Sequence, residues 1–188
     1  MRILCGLLLI TGLLQGCVAP VVAAGVGTGV VMSAADRRSA GTMVEDDTIE
    51  SKAQKRVEEK YKDTARVSVT SFNRFALITG TVASEAAKMD IERIVGGIPN
   101  VKGIANEVVV DATAKSGSGA SDSRITGNVK LRFVRSPVFK ADHVKVITEN
   151  SVVYLMGLVT RAEADAASEI ASTTAGVSKV VRVFEYID

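Results

Sequence analysis

The chain contains the same sequence pattern twice. The segment "ALITGTV" (Ala76–Val82) aligns with "VYLMGLV" (Val153–Val159), 77 positions later, and the preceding segments 66–73 and 143–150 align at the same distance. Self-similarity at a fixed distance indicates one structural unit that is used more than once. The sequence therefore predicts two copies of one small fold.

Each copy opens with an amphipathic helix. Apolar residues recur there at every fourth position, which places them on one side of a helix as a single buried stripe. The stripe consists of Ile49, Ala53 and Val57 in the first copy and of Ile125, Val129 and Phe133 in the second. We expect these residues to form the helical side of each core.

The rest of each copy predicts a hairpin, a second helix and a last strand. Two alternating runs are joined by a tight turn, at "SFNR" in the first copy and "TENS" in the second. The run 152–159 is apolar on both faces, which predicts a central strand. Ser84 in one copy, and Thr160 with Glu163 in the other, are capping signals for the second helix. The predicted order is αββαβ, an α+β fold in which each copy has a small three-stranded sheet and two helices.

An apolar segment near the start of the sequence predicts export. Ile3–Leu14 is uncharged, has the length of a signal-peptide core and is too short to span a bilayer. The "LQGC" that ends at Cys17 resembles the lipidation signal of bacterial lipoproteins, although Gln15 departs from the usual small residue. We expect a signal peptide at 1–16 and acyl chains on Cys17. The alternative is an ordinary secretory signal that leaves Cys17 as a free thiol.

Composition places the domain boundaries. The predicted segments are a lipidated tether at 17–46, a first domain at 47–111, a Gly, Ser and Ala-rich linker at 112–121 and a second domain at 122–188. The acidic run Glu45–Asp47 is interpreted as helix-start charge, because carboxylates stabilise the first turn of a helix.

The strand motif resembles a known family. Val153, Leu155, Gly157 and Val159 form the pattern V-x-L-x-G-x-V, and Ala76, Ile78, Gly80 and Val82 form it with one relaxed position. Together with the following helix and V-x-x-V segment, the pattern resembles the BON domain in both copies. A lipidation signal followed by two BON domains is similar to a group of outer-membrane lipoproteins. The resemblance implies a lipid-anchored protein that faces the periplasm and is linked to cell division and envelope integrity.

The two copies differ on the outer face of their first helix. At 100° per residue, the side opposite Ile125 gathers Arg124, Gly127, Asn128, Leu131, Val134 and Arg135, with Lys130 at its edge. The matching positions of the first copy are all polar: Thr48, Ser51, Lys52, Gln54, Lys55, Glu58 and Glu59. Segment 45–62 has a net charge of −1, whereas segment 122–140 has a net charge of +4.

This difference predicts a surface for anionic phospholipids, because basic residues around a small apolar ridge suit anionic headgroups. The BON resemblance implies the same, since the second BON domain of those lipoproteins binds such lipids through its first helix. The family has a Trp beside the position of Ile125, but here the neighbour is Arg124 and the chain has no Trp. Aromatic anchoring is therefore lost or moved. The alternative is that Leu131 and Val134 pack against the first domain.

The sequence offers no set of catalytic or metal-binding residues. His143 is the single His, expected at the surface or at a strand edge, and with one lipidated Cys it cannot build a zinc site. The net charge of +2 argues against nucleic-acid binding. We therefore expect a non-enzymatic protein without a cofactor or metal, whose partners are anionic phospholipids. The alternative is an adaptor for envelope-assembly proteins or regulators of cell-wall amidases.

Overall fold

A computed structural model describes residues 36–62, 64–111 and 119–188. The predicted signal peptide, Cys17 and most of the predicted linker lie outside these residues. The helices are α1 (Ala40–Tyr61), α2 (Glu85–Gly96), α3 (Gly119–Val134) and α4 (Arg161–Ser172), and a 3-10 turn spans Ala141–His143. The strands are β1 (Ala65–Phe72), β2 (Phe75–Val82), β3 (Gly103–Asn106), β4 (Val109–Val110), β5 (Val144–Glu149), β6 (Val152–Val159) and β7 (Lys179–Tyr186).

The predicted αββαβ order is confirmed in both copies. In each sheet the second strand is central, antiparallel to the first and parallel to the third. The third strand of the second copy is continuous, with β7 paired along β6 from Val152↔Lys179 to Val159↔Tyr186. In the first copy it is split into β3 and β4, because the chain turns Val108 inward between them and Val108 is 2% exposed.

The two predicted helical stripes form the cores of the two domains. Ile49, Ala53 and Val57 are buried against β1, β2 and α2, and Ile125, Val129 and Phe133 are buried against β5, β6 and α4. The predicted caps are also confirmed. The Ser84 hydroxyl accepts from the backbone N–H of Ala87, and Thr160 forms a reciprocal capping box with Glu163.

Both first helices begin earlier than the predicted boundaries. Helix α1 begins at Ala40, inside the segment assigned to the tether, and Ser39 caps it by accepting from the Thr42 backbone N–H. Helix α3 begins at Gly119, so residues 119–121 of the predicted linker are helical. The interpretation of Glu45–Asp47 as helix-start charge is therefore wrong, because these residues lie in the second turn of α1.

Two acidic residues of these helices instead hold the hairpin turns. Asn73 and Arg74 both have positive φ, of 52° and 67°, as a type I′ turn requires. The buried carboxylate of Asp46 accepts from the backbone N–H groups of both, at 2.8 and 2.7 Å. Asp122 does the same for the turn of the second copy, accepting at 2.9 Å from two backbone N–H groups.

The glycine of the BON motif marks a close backbone approach. A Cβ at Gly80 would collide with the carbonyl oxygen of Arg66 on the neighbouring strand, and Gly80 also has a φ of +119°. A Cβ at Gly157 would collide with the carbonyl oxygen of His143 in the same way. The motif thus requires glycine where the backbone of the first strand, or of the residue just before it, lies directly against the central strand.

The outer faces of the two sheets pack against each other. Phe72 and Leu77 of the first domain meet Tyr154 and Met156 of the second, and all four side chains are buried. The apolar residues on both faces of β6 are explained by this contact: one face lies on its own helices, the other on the first domain.

Burial, together with the carboxylates of Glu107 and Glu149, raises the pKa of Tyr154 to about 12.

Candidate functional site

The outer face of α3 is open to solvent. All seven residues predicted for this face are exposed: Arg124, Gly127, Asn128, Lys130, Leu131, Val134 and Arg135. The apolar side chains are among them, with Leu131 54% and Val134 71% exposed. The alternative expectation, that Leu131 and Val134 pack against the first domain, is not what the structure shows.

Packing on the other side of α3 orients this face. Val129 and Phe133 are buried in the core, so residues half a turn away point outward. The rings of Phe133 and Phe139 meet edge to face, with centroids 5.0 Å apart. This contact holds the loop after α3 against the end of the helix.

The loop adds residues that were not assigned to the face from the sequence. Val138 is 51% exposed and Lys140 is exposed. Both belong to the basic stretch that follows Val134. In the sequence, the valine between Arg135 and Lys140 is the signal that could have identified them. Val138 is thus a third exposed apolar side chain of this segment, after Leu131 and Val134.

Arg132, also a cation of this basic stretch, forms hydrogen bonds within the second domain and is not part of the exposed face. Arg132 donates to the backbone oxygen of Ile170 at 2.6 Å and to the hydroxyl of Thr174 at 2.7 Å. It therefore satisfies one backbone carbonyl near the C-terminal end of α4, where a positive charge is favourable. The exposed cations around the ridge are Arg124, Lys130, Arg135 and Lys140.

The corresponding face of α1 has a different character. Lys52, Lys55, Glu58 and Glu59 are exposed there, and the Gln54 amide donates to Glu58 at 2.8 Å. The face carries charges of both signs, and no apolar side chain stands at the positions of Leu131 and Val134. The two domains have the same fold but present different chemistry on the same helix face.

His143 lies apart from this face. Its side chain is 11% exposed and its Nδ1 is 3.3 Å from the Glu163 carboxylate. The expectation was a position at the surface or at a strand edge, and the structure places His143 directly before the outer strand β5, half-buried beside the start of α4. Within residues 36–62, 64–111 and 119–188, no group of three or more His, Cys, Asp or Glu side chains could hold a metal ion. No helix of that part of the chain could cross a membrane.

Comparisons with known proteins give the family. The model of the BON domain matches residues 45–112 and 121–188. The chain is 37% identical over 177 residues to the outer membrane lipoprotein DolP of Haemophilus influenzae, with 93% of this chain and 91% of that protein covered. It is 34% identical to a 21 kDa hemolysin of Actinobacillus pleuropneumoniae, covering 81% and 79% of the two chains. It is 30% identical to the osmotically-inducible protein Y of Escherichia coli, covering 61% and 58%.

The two matches of the BON model coincide with the two copies of the fold, and the similarity to DolP extends over nearly the whole of both sequences. The chain therefore belongs to the BON-domain family and, within it, to the outer-membrane lipoproteins that resemble DolP.

Proposed function

We propose that this outer-membrane lipoprotein is not an enzyme and that its second BON domain binds anionic phospholipids through the α3 face. The observation that carries the proposal is the exposed ridge of Leu131 and Val134 among cations, on a helix whose counterpart α1 is polar. Binding would occur at the inner leaflet of the outer membrane, where it would support envelope integrity at division sites.

The magnitudes are consistent with a protein that is already anchored. Each basic residue near an anionic surface contributes about 1 kcal/mol, so the four exposed cations contribute roughly 4 kcal/mol. That alone corresponds to dissociation constants of about 1 mM. An acyl anchor on Cys17 raises the local concentration of the domain at the bilayer and makes such weak contact effective.

Vesicle binding tests the proposal. The chain from residue 17, carrying Cys17→Ala, should sediment with phosphatidylglycerol vesicles more than with phosphatidylcholine vesicles. Leu131→Glu or Arg135→Glu should reduce this binding at least about fivefold, because each places a like charge against the headgroups. Lys55→Glu, at the position of α1 that matches Leu131, is the control and should bind as the parent does.

Chemical shifts locate the contact. A titration with anionic micelles should perturb the amides of residues 124–135 and leave the matching residues 48–59 of α1 unchanged. Equal perturbation of both helices, or none of α3, would contradict the proposal.

The second candidate function is that of an adaptor for envelope-assembly proteins or regulators of cell-wall amidases. An exposed apolar ridge of this size also fits a protein contact. Under this function, Leu131→Glu would leave vesicle binding unchanged and impair only the cellular activity of the protein.

A further inference from the structure

The contact between the two sheets is closed in the middle and open along one side. Leu77 and Met156 are fully buried at its centre, whereas Ala105 of β3 and Val181 and Val183 of β7 remain partly exposed. Between them lies a groove of about 250 Å³. Its floor is apolar and includes Phe72 and Phe75.

On the opposite side of the contact, Lys145 links the two domains. The Lys145 ammonium of β5 donates to the Glu50 carboxylate at 2.8 Å and to the backbone oxygen of Ser71 at 3.3 Å. The strands β1 and β5 are thereby tied together. The groove therefore lies between β3 and β7, whereas the domains are in direct contact at β1 and β5.

The strands that border the groove are outer strands of their sheets. In the described parts of the chain, β3 pairs only with β2, and β7 pairs only with β6. Strand β7 is eight residues long and is exposed or half-buried throughout. Its outer row of backbone N–H and C=O groups is a template for a further strand.

The charge at the groove is negative. The carboxylates of Glu107 and Glu185 lie along it, and Glu185 accepts from the Asn73 amide at 2.6 Å. The nearby cation Arg182 is paired with Asp165 of α4 at 2.7 Å. A segment that carries lysine or arginine is the complementary partner.

We propose that this groove binds an extended segment of another protein, whose groove-facing side chains are apolar at one end and basic at the other, by adding it as a strand to the outer edge of β7. Val181, Val183 and Glu185 share the face of β7 that turns towards the first domain. Apolar side chains of the segment therefore enter the groove against Val181 and Val183, and basic side chains further along the same face approach Glu107 and Glu185. The helices α3 and α4 cover the other face of the β5–β6–β7 sheet. The site is thus separate from the α3 face, and the proposal does not depend on lipid binding.

Nuclear magnetic resonance with a defined peptide tests the site. The probe is an end-blocked seven-residue peptide with valine at positions 1 and 3, lysine at positions 5 and 7 and threonine between them, so that valine and lysine share one face of the strand. It is added to the chain from residue 17 with Cys17→Ala. At peptide concentrations on the order of 1 mM, shifts should appear at Ala105 and at residues 181–185, and amide exchange in β7 should slow. A peptide with alternate N-methylated residues should not bind, because it cannot complete the strand.

Charge variants provide the matched comparison. Glu107→Lys with Glu185→Lys should weaken peptide binding at least fivefold, whereas Glu59→Lys with Glu169→Lys, the same charge change at exposed positions of α1 and α4, should leave it unchanged. Absence of shifts at β7, shifts confined to 124–135, or equal binding of a peptide with glutamate in place of lysine would overturn the proposal. Anionic vesicles should perturb α3 and not β7, so that failure of the lipid proposal is recognised separately.

Discussion

Arg37 and Glu163 are joined by two parallel hydrogen bonds, of 2.7 and 2.8 Å. Arg37 precedes the first helix of the first domain, and Glu163 lies in the first turn of α4 in the second domain. The same guanidinium donates to the backbone oxygen of Leu158 at 2.8 Å. The segment that leads into the first BON domain is thus fastened to the second, and the planar guanidinium gives the contact a fixed geometry.

Removal of this contact should destabilise the protein. Arg37→Ala leaves the Glu163 carboxylate, which is 10% exposed, without its main partner, and we expect the free energy of unfolding to fall by about 1–2 kcal/mol. Urea denaturation measures this loss. Arg93→Ala is the control, because Arg93 is 75% exposed in its pair with Asp90 and should cost less than about 0.5 kcal/mol. Equal losses in the two variants would contradict the role of Arg37.

The same carboxylate should make stability depend on acid pH. The hydrogen bonds from Arg37, with help from the Thr160 backbone, lower the pKa of Glu163 from its ordinary 4.5 to about 2. The folded protein therefore binds this proton more weakly than the unfolded chain does. The stabilisation is complete above pH 4.5 and is lost as the pH falls towards 2.

Comparison with a neutral variant isolates this effect. Between neutral pH and pH 2, the parent should lose roughly 2–3 kcal/mol more stability than Glu163→Gln does. Glu169→Gln, which removes an exposed carboxylate from the same helix, should follow the parent curve. If the plots of unfolding free energy against pH are parallel for Glu163→Gln and the parent, the pKa of Glu163 is not lowered by Arg37.

Substitution of Asp46 should lower the stability of the protein more than substitution of most other polar residues. Its carboxylate is 2% exposed, and it accepts from the Ser71 hydroxyl at 2.6 Å, from Arg38 at 2.8 Å and from two backbone N–H groups of the turn. Asp46→Ala leaves the Ser71 hydroxyl and the two turn N–H groups without this acceptor, while Arg38 keeps its bonds to Asp36. We expect a loss of about 3–4 kcal/mol in unfolding free energy. Amide exchange at Asn73 should rise, while exchange at Asn150 in the other domain should not. Asp47→Ala, an exposed neighbour, is the control.

Local signals were enough to predict the elements of each domain. The stripe at Ile49, the cap at Ser84 and the turn at "SFNR" each depend on residues a few positions apart, and the structure has all three. The outward direction of Leu131 also followed from helix geometry and from comparison of the two copies. These features require only the period of the helix or the chemistry of a turn.

Contacts between distant residues could not be predicted in this way. Asp46 is separated by 27 and 28 residues from the turn that it holds, and Arg37 by 126 residues from Glu163. The sheet-to-sheet contact had one signal, the apolar residues on both faces of β6, which indicated a central strand without saying what covers its second face. The alignment of Asp46 with Asp122, each followed by the same kind of turn, was the available signal for the turn contact.

Alanine substitutions at Gly80 and at Gly127 should change the stability of the protein in opposite directions. Gly80→Ala forces a Cβ against the Arg66 carbonyl at a φ of +119°, and we expect it to cost at least about 3 kcal/mol. Gly127 lies in α3 with open space around the position of a Cβ. Gly127→Ala should therefore stabilise the second domain by about 0.5–1 kcal/mol. Thermal unfolding of the two variants beside the parent checks both signs, and stabilisation by Gly80→Ala would show that the strands do not approach as described.

The contact between the sheets should make the two domains unfold together. Leu77→Ala removes a fully buried side chain from that contact and should cost about 2–4 kcal/mol. It should also shift the ring resonances of Tyr154 in the other domain and separate one unfolding transition into two. Ile78→Ala, the next residue of the same strand, removes a side chain from the first domain's own core and should cost a similar amount. Because Ile78 points away from the second domain, that variant should leave Tyr154 unchanged; a shift of Tyr154 of equal size in both variants would show that the coupling does not run through this contact.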